Sequence, residues 1–195
     1  YVYMGHLKFE HTKPYEDWFW KKNKIDLVFD HVKEVSPSSK SVVLNSGKKF
    51  EYDELIIATG STSNKFGWKG LHLTGVQGLY GYNDLQRMEA NTRDIKHAVI
   101  VGGGLIGVEM AEMLLSRKID VTFLVREPEF WSVGLPLKEA NMISRHIRSH
   151  GVNLKLSTEL TEIQPGTDGK VQAVITNKNE RIDCQFVGLA VGVSP

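Results

Sequence analysis

The sequence has a single cysteine, no long hydrophobic run and no excess of either charge. Cys184 is the one cysteine among 195 residues. It excludes an internal disulfide and a cysteine-rich metal site, and it makes a reducing cytoplasm the expected location. No apolar run approaches the roughly 18 residues that a membrane helix needs. The opening residues, YVYM, do not have the pattern of a signal peptide.

The balance of charge argues against a polyanionic partner. The chain has 24 Lys and Arg against 23 Asp and Glu, divided as 13 against 12 before residue 95 and 11 against 11 after it. No basic arm is present, so neither nucleic acid nor an anionic membrane surface is expected as a partner. His146 and His150 have a metal-compatible spacing, but they lack a third ligand and lie beside Arg145 and Arg148. No metal site is therefore predicted.

From His97 onward the apolar pattern alternates between strands and helices. The predicted strands are Ala98–Val101, Val121–Val125 and Val152–Leu156, and the helices between them are Leu105–Arg117 and Pro136–His150. The first helix is expected to bury Val108, Ala111 and Leu115. After Glu159 an antiparallel meander with turns at 166–169 and 177–179 leads to a strand over Phe186–Val191. The fold class predicted is α/β, a Rossmann-like parallel sheet with an antiparallel β-meander.

The first half of the chain has shorter and less regular elements. Strand-like runs occur at Ile25–Phe29, Val32–Val35, Val42–Leu44 and Lys48–Tyr52. The continuous apolar run Leu55–Ala58 predicts a strand that is buried on both faces. Glycine-rich residues 61–93 indicate a connection between domains, with a short helix over Asp84–Asn91.

The most informative segment is VIVGGGLIGVE at residues 99–109. Gly102, Gly104 and Gly107 have the Gly-x-Gly-x-x-Gly spacing and fall between a predicted strand and a predicted helix. Gly102 suits the tight turn, Gly104 lets a pyrophosphate approach the backbone, and Gly107 lets the helix lie close to the sheet. An anion there would meet the free N–H groups and the dipole of the helix. The segment predicts a dinucleotide-binding βαβ unit.

The end of the second strand of such a unit selects the coenzyme. An acid there binds the ribose hydroxyls of NAD, whereas an arginine accommodates the 2′-phosphate of NADP. The sequence has both types of side chain, at Arg126 and Glu127. Arg126 favours NADPH slightly, and the preference stays open, as does a purely solvent-exposed role for both charges.

Two further segments resemble a known family. YDELIIATGS at residues 52–61 resembles the strand and turn by which pyridine nucleotide-disulfide oxidoreductases contact FAD, and LAVGVSP at 189–195 resembles the strand that passes the nicotinamide. With the glycine turn they occur in the family's order. Within this family, the Gly-Val-Glu at 107–109 resembles the end of the glycine loop in one branch. That branch comprises NADH oxidases, rubredoxin or ferredoxin reductases and the flavin domains of nitrite reductases.

The resemblance implies a flavoprotein that transfers hydride from NAD(P)H to FAD and then to an unknown acceptor. Residues 1–94 would be part of an FAD-binding α/β domain with a connection, and residues 95–195 the NAD(P)-binding domain. The family's first FAD glycine loop and its later Gly-Asp motif have no counterpart in the sequence. The chain is therefore expected to be a fragment that is inactive alone. A protein electron acceptor and a homodimer are the partners that the resemblance suggests besides small nucleotides.

The implied site residues follow from the matching motifs. The NAD(P) site would comprise Gly102, Gly103, Gly104, Leu105, Ile106, Gly107, Arg126, Glu127, Val191 and Gly192, and the FAD contact Ala58, Thr59 and Gly60. Glu109 would help to position the flavin and nicotinamide rings, with a solvent-exposed helix position as the alternative. Trp68 and Trp131 lie in predicted loops, where each would pack either within the protein or under a cofactor. A nucleotide-binding module without redox activity remains the alternative function.

Overall fold

The computed structural model describes all 195 residues, and the chain forms two compact units. One unit comprises Leu7–Gly60, and the other comprises Tyr1–His6 together with Ser61–Pro195. The assignment of residues 1–94 and 95–195 to FAD and NAD(P) stays a prediction.

The smaller unit contains a three-stranded antiparallel meander. A short 3-10 turn at Phe9–Thr12 and helix α1 (Asp17–Lys22) precede its strands, which are β1 (Val32–Ser36), β2 (Ser41–Leu44) and β3 (Lys49–Glu51). These strands confirm the predicted runs within one residue. The meander turns at Pro37–Lys40, as the serine-rich sequence there favours.

Two predicted strands of the smaller unit are wrong. Neither Ile25–Phe29 nor Leu55–Ala58 forms a strand, and their side chains are exposed, Phe29 to 94% and Ile56 to 89%. A strand needs a neighbour to satisfy its backbone groups, and no strand of the meander pairs with either segment. The apolar pattern alone could not supply that neighbour.

The larger unit contains the remaining elements. They are β4 (Thr62–Ser63), β5 (Val76–Gly78), α2 (Tyr82–Asn91), β6 (His97–Val101), α3 (Leu105–Ser116), β7 (Asp120–Leu124), α4 (Leu137–Ser149), β8 (Asn153–Lys155), β9 (Leu160–Pro165), β10 (Val171–Thr176), β11 (Arg181–Asp183), β12 (Phe186–Leu189) and β13 (Val193–Ser194). Five strands form a parallel sheet in the order β5-β12-β6-β7-β8. The predicted Rossmann-like α/β fold is confirmed.

The core of this unit lies on both faces of the parallel sheet. Residues 98–101 of β6 are all buried, as expected for a strand covered on both sides. Helix α4 begins after Pro136 and ends before Gly151, whose φ of +83° suits the residue after a helix. Both helix boundaries agree with the prediction.

The buried face of α3 differs from the one predicted. Ala111 is buried as expected, but Val108 is 37% exposed and Leu115 is only partly buried. The buried residues of α3 are Gly107, Met110, Ala111, Met113 and Leu114. The close approach of the helix to the sheet at Gly107 sets this rotation, because the residues three and seven positions further along share its face.

The predicted meander is present, but its last strand belongs to the parallel sheet. Strands β9, β10 and β11 form the antiparallel sheet, with turns at the predicted places. Strand β12 then lies between β5 and β6, parallel to both. No helix is both long and apolar enough for a membrane span.

Candidate functional site

The strand order reverses beside β6, and a cavity opens at that point. From β6 the chain passes through α3 to β7 on one side, whereas β12 lies on the other. Open α/β sheets bind ligands beyond the carboxyl ends of the strands at such a reversal. The cavity has a volume of about 950 Å³ and is lined by Phe66, Trp68, Val101, Gly102, Gly103, Gly104, Leu124, Arg126, Glu127, Trp131, Val133, Gly134, Leu135, Thr158, Glu159, Leu160, Ala190 and Val191.

Two glycines of the turn are required by their close surroundings. Gly102 has a φ of +106°, and a Cβ atom there would lie 2.4 Å from the carbonyl oxygen of Ala190. A Cβ atom at Gly107 would lie 2.5 Å from the carbonyl oxygen of Gly102 and 2.7 Å from Cζ of Phe123. Both distances are far below van der Waals contact. Gly102 therefore serves the turn, and Gly107 serves the approach of α3 to β7.

Gly104 differs because space remains above it. An added Cβ atom would meet nothing nearer than the Ala190 carbonyl oxygen at 3.9 Å. Gly104 is also the residue immediately before α3, and no side chain caps that helix end. The first N–H groups of α3 therefore have no partner inside the helix. Together with the helix dipole, they make the floor of the cavity suitable for a pyrophosphate.

Arg126 and Glu127 lie at the rim of the cavity, just after β7. The segment is fixed by two backbone hydrogen bonds, in which Ser157 N–H donates to the Glu127 carbonyl and Thr158 N–H donates to that of Val125, each at 2.9 Å. Nε of Arg126 donates to Oε1 of Glu127 at 2.8 Å. This hydrogen bond raises the pKa of the Arg126 guanidinium above its ordinary value. The arginine side chain is 75% exposed, so a phosphate can reach it from the solvent side.

Part of the cavity wall is aromatic, which the sequence indicated only weakly. Phe66 and Trp68 form an edge-to-face pair with ring centroids 5.7 Å apart. Phe130 and Trp131 are stacked at the same separation. Phe66, Trp68 and Trp131 line the cavity. Their only signal in the sequence is that large aromatic residues occur in segments predicted to be loops.

The structure gathers six of the ten predicted NAD(P) residues around the cavity, namely Gly102, Gly103, Gly104, Arg126, Glu127 and Val191. Leu105, Ile106, Gly107 and Gly192 do not line it. Leu105 is 68% exposed at the start of α3, whereas Ile106 lies against the core. Gly192 accepts a backbone hydrogen bond from Asn64 at 3.0 Å, which ties the end of β12 to the segment after β4.

The remaining predicted site residues are not among those that line this cavity. Glu109 is exposed on α3, and its side chain makes no hydrogen bond or ion pair. Ala58, Thr59 and Gly60 are exposed at the end of the smaller unit. None of the four lines the cavity. Their roles at a flavin stay predictions that rest on the resemblance.

The chain is similar to known proteins in sequence and in fold. The sequence profile of the family described as pyridine nucleotide-disulphide oxidoreductase matches residues 7–195. A monodehydroascorbate reductase of Arabidopsis thaliana is 29% identical over 92% of this chain and 36% of the relative. A rubredoxin-NAD(+) reductase of Pseudomonas putida is 25% identical over 91% of this chain and 46% of the relative. The crystal structure of a ferredoxin reductase from Rhodopseudomonas palustris has the same fold, with a TM-score of 0.90 and 21% identity over 100% of this chain and 48% of that one. The chain therefore spans less than half the length of each of these proteins.

Proposed function

Because the chain belongs to the pyridine nucleotide-disulphide oxidoreductase family, we propose that it supplies the coenzyme-binding part of an FAD-dependent NAD(P)H oxidoreductase. The observation that carries the proposal is the cavity at the strand-order reversal, with free helix N–H groups and open space above Gly104. The family uses FAD together with NAD(P)H. In such a pair the flavin accepts a hydride, and the protein supplies binding, orientation and the exclusion of water.

In this proposal the residues of the chain bind and orient the coenzyme. The N–H groups at the start of α3 would hold the pyrophosphate, and Arg126 and Glu127 would meet the adenosine ribose. Ala190 and Val191, at the end of β12, lie on the other side of the turn and would border the nicotinamide half. No side-chain base is needed, since the coenzyme itself donates the hydride.

The experiment that tests the function is a visible absorption spectrum of the 195-residue chain with added FAD, recorded before and after NADPH or NADH. A bound flavin band that bleaches with a nucleotide supports the redox function. Nucleotide binding in calorimetry without a flavin band would mean that this chain alone is a nucleotide-binding module. No binding of either nucleotide would contradict the proposal. None of the relatives supports the non-redox alternative for the protein as a whole.

We propose NADPH as the preferred coenzyme, because the strand end offers an exposed arginine that can exchange its Glu127 partner for a 2′-phosphate. Arg126→Ala should then weaken NADPH binding about tenfold, by loss of a charge-assisted contact, and leave NADH nearly unchanged. Glu127→Gln removes the paired acid while keeping its shape, and it should strengthen NADPH binding. Weaker NADH binding in Glu127→Gln, with NADPH unaffected, would instead assign Glu127 to the ribose hydroxyls of NAD.

The acceptor, the location and the assembly belong to the same proposal. The relatives above are named for monodehydroascorbate, rubredoxin and ferredoxin, which include a small molecule and electron-carrier proteins. We propose a protein electron carrier as the acceptor, a cytoplasmic location and a homodimer. The proposed acceptor can be tested with the flavin-loaded protein and NADPH as donor. The measurement is electron transfer to rubredoxin and to ferredoxin.

A further inference from the structure

The loop after β7 is held in place by buried groups although it lies at the cavity rim. Phe130 is 1% exposed, and its ring meets that of Phe123 edge to face at 5.7 Å. The N–H of Phe130 donates to Oγ of Ser144 at 3.3 Å, and that hydroxyl donates to Glu129 at 3.2 Å. Ser144 is 1% exposed on α4. The loop is therefore fixed to the helix and to the sheet rather than free.

The contacts between Phe123, Phe130 and Trp131 extend to the glycine turn. Phe123 lies under Gly107, and Cε2 of Phe130 would be 3.4 Å from a Cβ atom at Gly103. Trp131 stacks on Phe130 with an interplanar angle of 25°. The Trp131 ring is thus positioned relative to the pyrophosphate floor by two buried phenylalanines.

The backbone of Trp131 is in an unfavourable conformation. Its φ is +59°, which is a left-handed region that a bulky residue rarely adopts. Its carbonyl oxygen accepts backbone hydrogen bonds from Gly134 and Leu135, each at 3.0 Å, which hold the turn in this form. Residues in such conformations cluster at ligand sites, where the surrounding structure enforces them.

The position of Trp131 along the loop indicates which end of the coenzyme it would meet. In a βαβ unit the ribose lies at the end of the second strand, here at Arg126 and Glu127. The base that follows this ribose must lie on the β7 side of the turn, away from Ala190 and Val191. Trp131 is the aromatic residue of the cavity wall that lies on the loop continuing from Glu127.

From these contacts we propose that Trp131 is the stacking platform for the adenine ring of the coenzyme, an inference that rests on the proposed function. The ring is flat, apolar and already oriented, so the adenine can stack on it without ordering a side chain. Phe123 and Phe130 are positioning residues, which act through Trp131.

The test measures binding of three ligands to the full chain by calorimetry: the preferred coenzyme, ADP-ribose and reduced nicotinamide mononucleotide. Trp131→Gly removes the ring and suits the left-handed backbone, so the fold should be kept. Base stacking on an aromatic residue corresponds to roughly a tenfold change in affinity. The coenzyme and ADP-ribose should therefore bind about tenfold more weakly, whereas the mononucleotide should bind as before. Trp131→Phe should keep most of the affinity.

Two controls separate this inference from the proposed function. Trp18→Phe and Trp20→Phe change the two tryptophans of the smaller unit, neither of which lines the cavity. ADP-ribose should quench part of the tryptophan fluorescence of the wild-type chain. This quenching should be absent in Trp131→Phe and present in both controls. The fluorescence readout does not depend on the Trp131→Gly variant. Unchanged affinity for ADP-ribose in Trp131→Gly, or a loss confined to the mononucleotide, would overturn the inference while leaving the function intact. A wild-type chain that binds no nucleotide would overturn both.

Discussion

Gly104 and Gly107 lie three residues apart, the first immediately before α3 and the second in its first turn. An added methyl group would nevertheless meet very different surroundings at the two positions. At Gly104 the nearest atom is 3.9 Å away, whereas at Gly107 it is 2.5 Å away. The φ of Gly104 is −91°, which alanine adopts without strain. The two positions therefore form a matched pair for separating binding from folding.

We predict opposite results for alanine at these two positions. Gly104→Ala should fold normally and bind the coenzyme at least tenfold more weakly, because the methyl group occupies the path of the pyrophosphate. Gly107→Ala should lower the free energy of unfolding by about 1–3 kcal/mol, since α3 must move away from β7. Urea denaturation and calorimetry measure the two effects. A Gly104→Ala variant with unchanged affinity would show that the pyrophosphate lies elsewhere.

Cys184 is fully buried, and burial raises the pKa of its thiol to about 12. In the unfolded chain the thiol has its ordinary pKa, near 9. Between these values the folded state holds a proton that the unfolded state has released. The stabilisation is therefore fully present below pH 9 and is lost as the pH rises towards 12.

We predict that the free energy of unfolding falls by about 2 kcal/mol between pH 8 and pH 10.5 through this group alone. Cys184→Ala removes the titrating group. The difference in free energy of unfolding between wild type and variant should therefore shrink by about 2 kcal/mol between pH 8 and pH 10.5. Urea titrations of both proteins at several pH values measure the difference. A difference that is independent of pH would mean that the thiol is accessible to water in the folded state.

Among the elements of the larger unit, the parallel strands are joined by side chains as well as by backbone. Nδ1 of His97 donates to the Asp183 carbonyl at 2.7 Å, and Nε2 lies 2.9 Å from Oγ1 of Thr122. Nδ2 of Asn153 donates to the same hydroxyl oxygen at 3.2 Å. Thr122 is buried, so its hydroxyl links β6, β7 and β8 in a place with little access to water.

Thr122→Val should lower the free energy of unfolding by about 0.5–1.5 kcal/mol, because it removes the hydroxyl that Nε2 of His97 and Nδ2 of Asn153 contact and keeps the shape of the side chain. Thr122→Ser keeps the hydroxyl and should retain most of this interaction. Thr122 does not line the cavity, so coenzyme affinity should not change in either variant. Equal stability of the valine and serine variants would contradict the prediction.

How much of each element could be predicted depends on whether its cause is local. Helix α4 was predicted because Pro136 and Gly151 mark its ends within the sequence itself. The strand predicted at Leu55–Ala58 is wrong, since a strand exists only with a neighbour that the pattern does not contain. The place of β12 between β5 and β6 is similarly non-local. In the site, the glycine spacing located the turn, whereas the role of Trp131 depends on Phe123 and Phe130, which no spacing rule connects to it.

At the scale of the whole molecule, the chain contributes to the larger unit from two separate stretches. Residues 1–6 belong with residues 61–195, although residues 7–60 lie between them in sequence. Tyr3 makes this possible: it is 2% exposed, and its hydroxyl lies 2.6 Å from that of Thr92. The Arg117 guanidinium lies over its ring at 3.6 Å, and burial raises the pKa of the phenol.

Tyr3→Ala should therefore destabilise the larger unit by about 3–5 kcal/mol, the cost of removing a large buried ring. Tyr3→Phe should cost only about 1 kcal/mol, because the Thr92 hydroxyl still donates to the Met88 carbonyl at 2.7 Å. Hydrogen-exchange mass spectrometry locates the effect: peptides of α2 and α3 should lose protection in Tyr3→Ala, whereas peptides of β1–β3 should not. An equal loss in β1–β3 would mean that the two units unfold together. Unchanged protection throughout would mean that residues 1–6 are not part of the larger unit in solution.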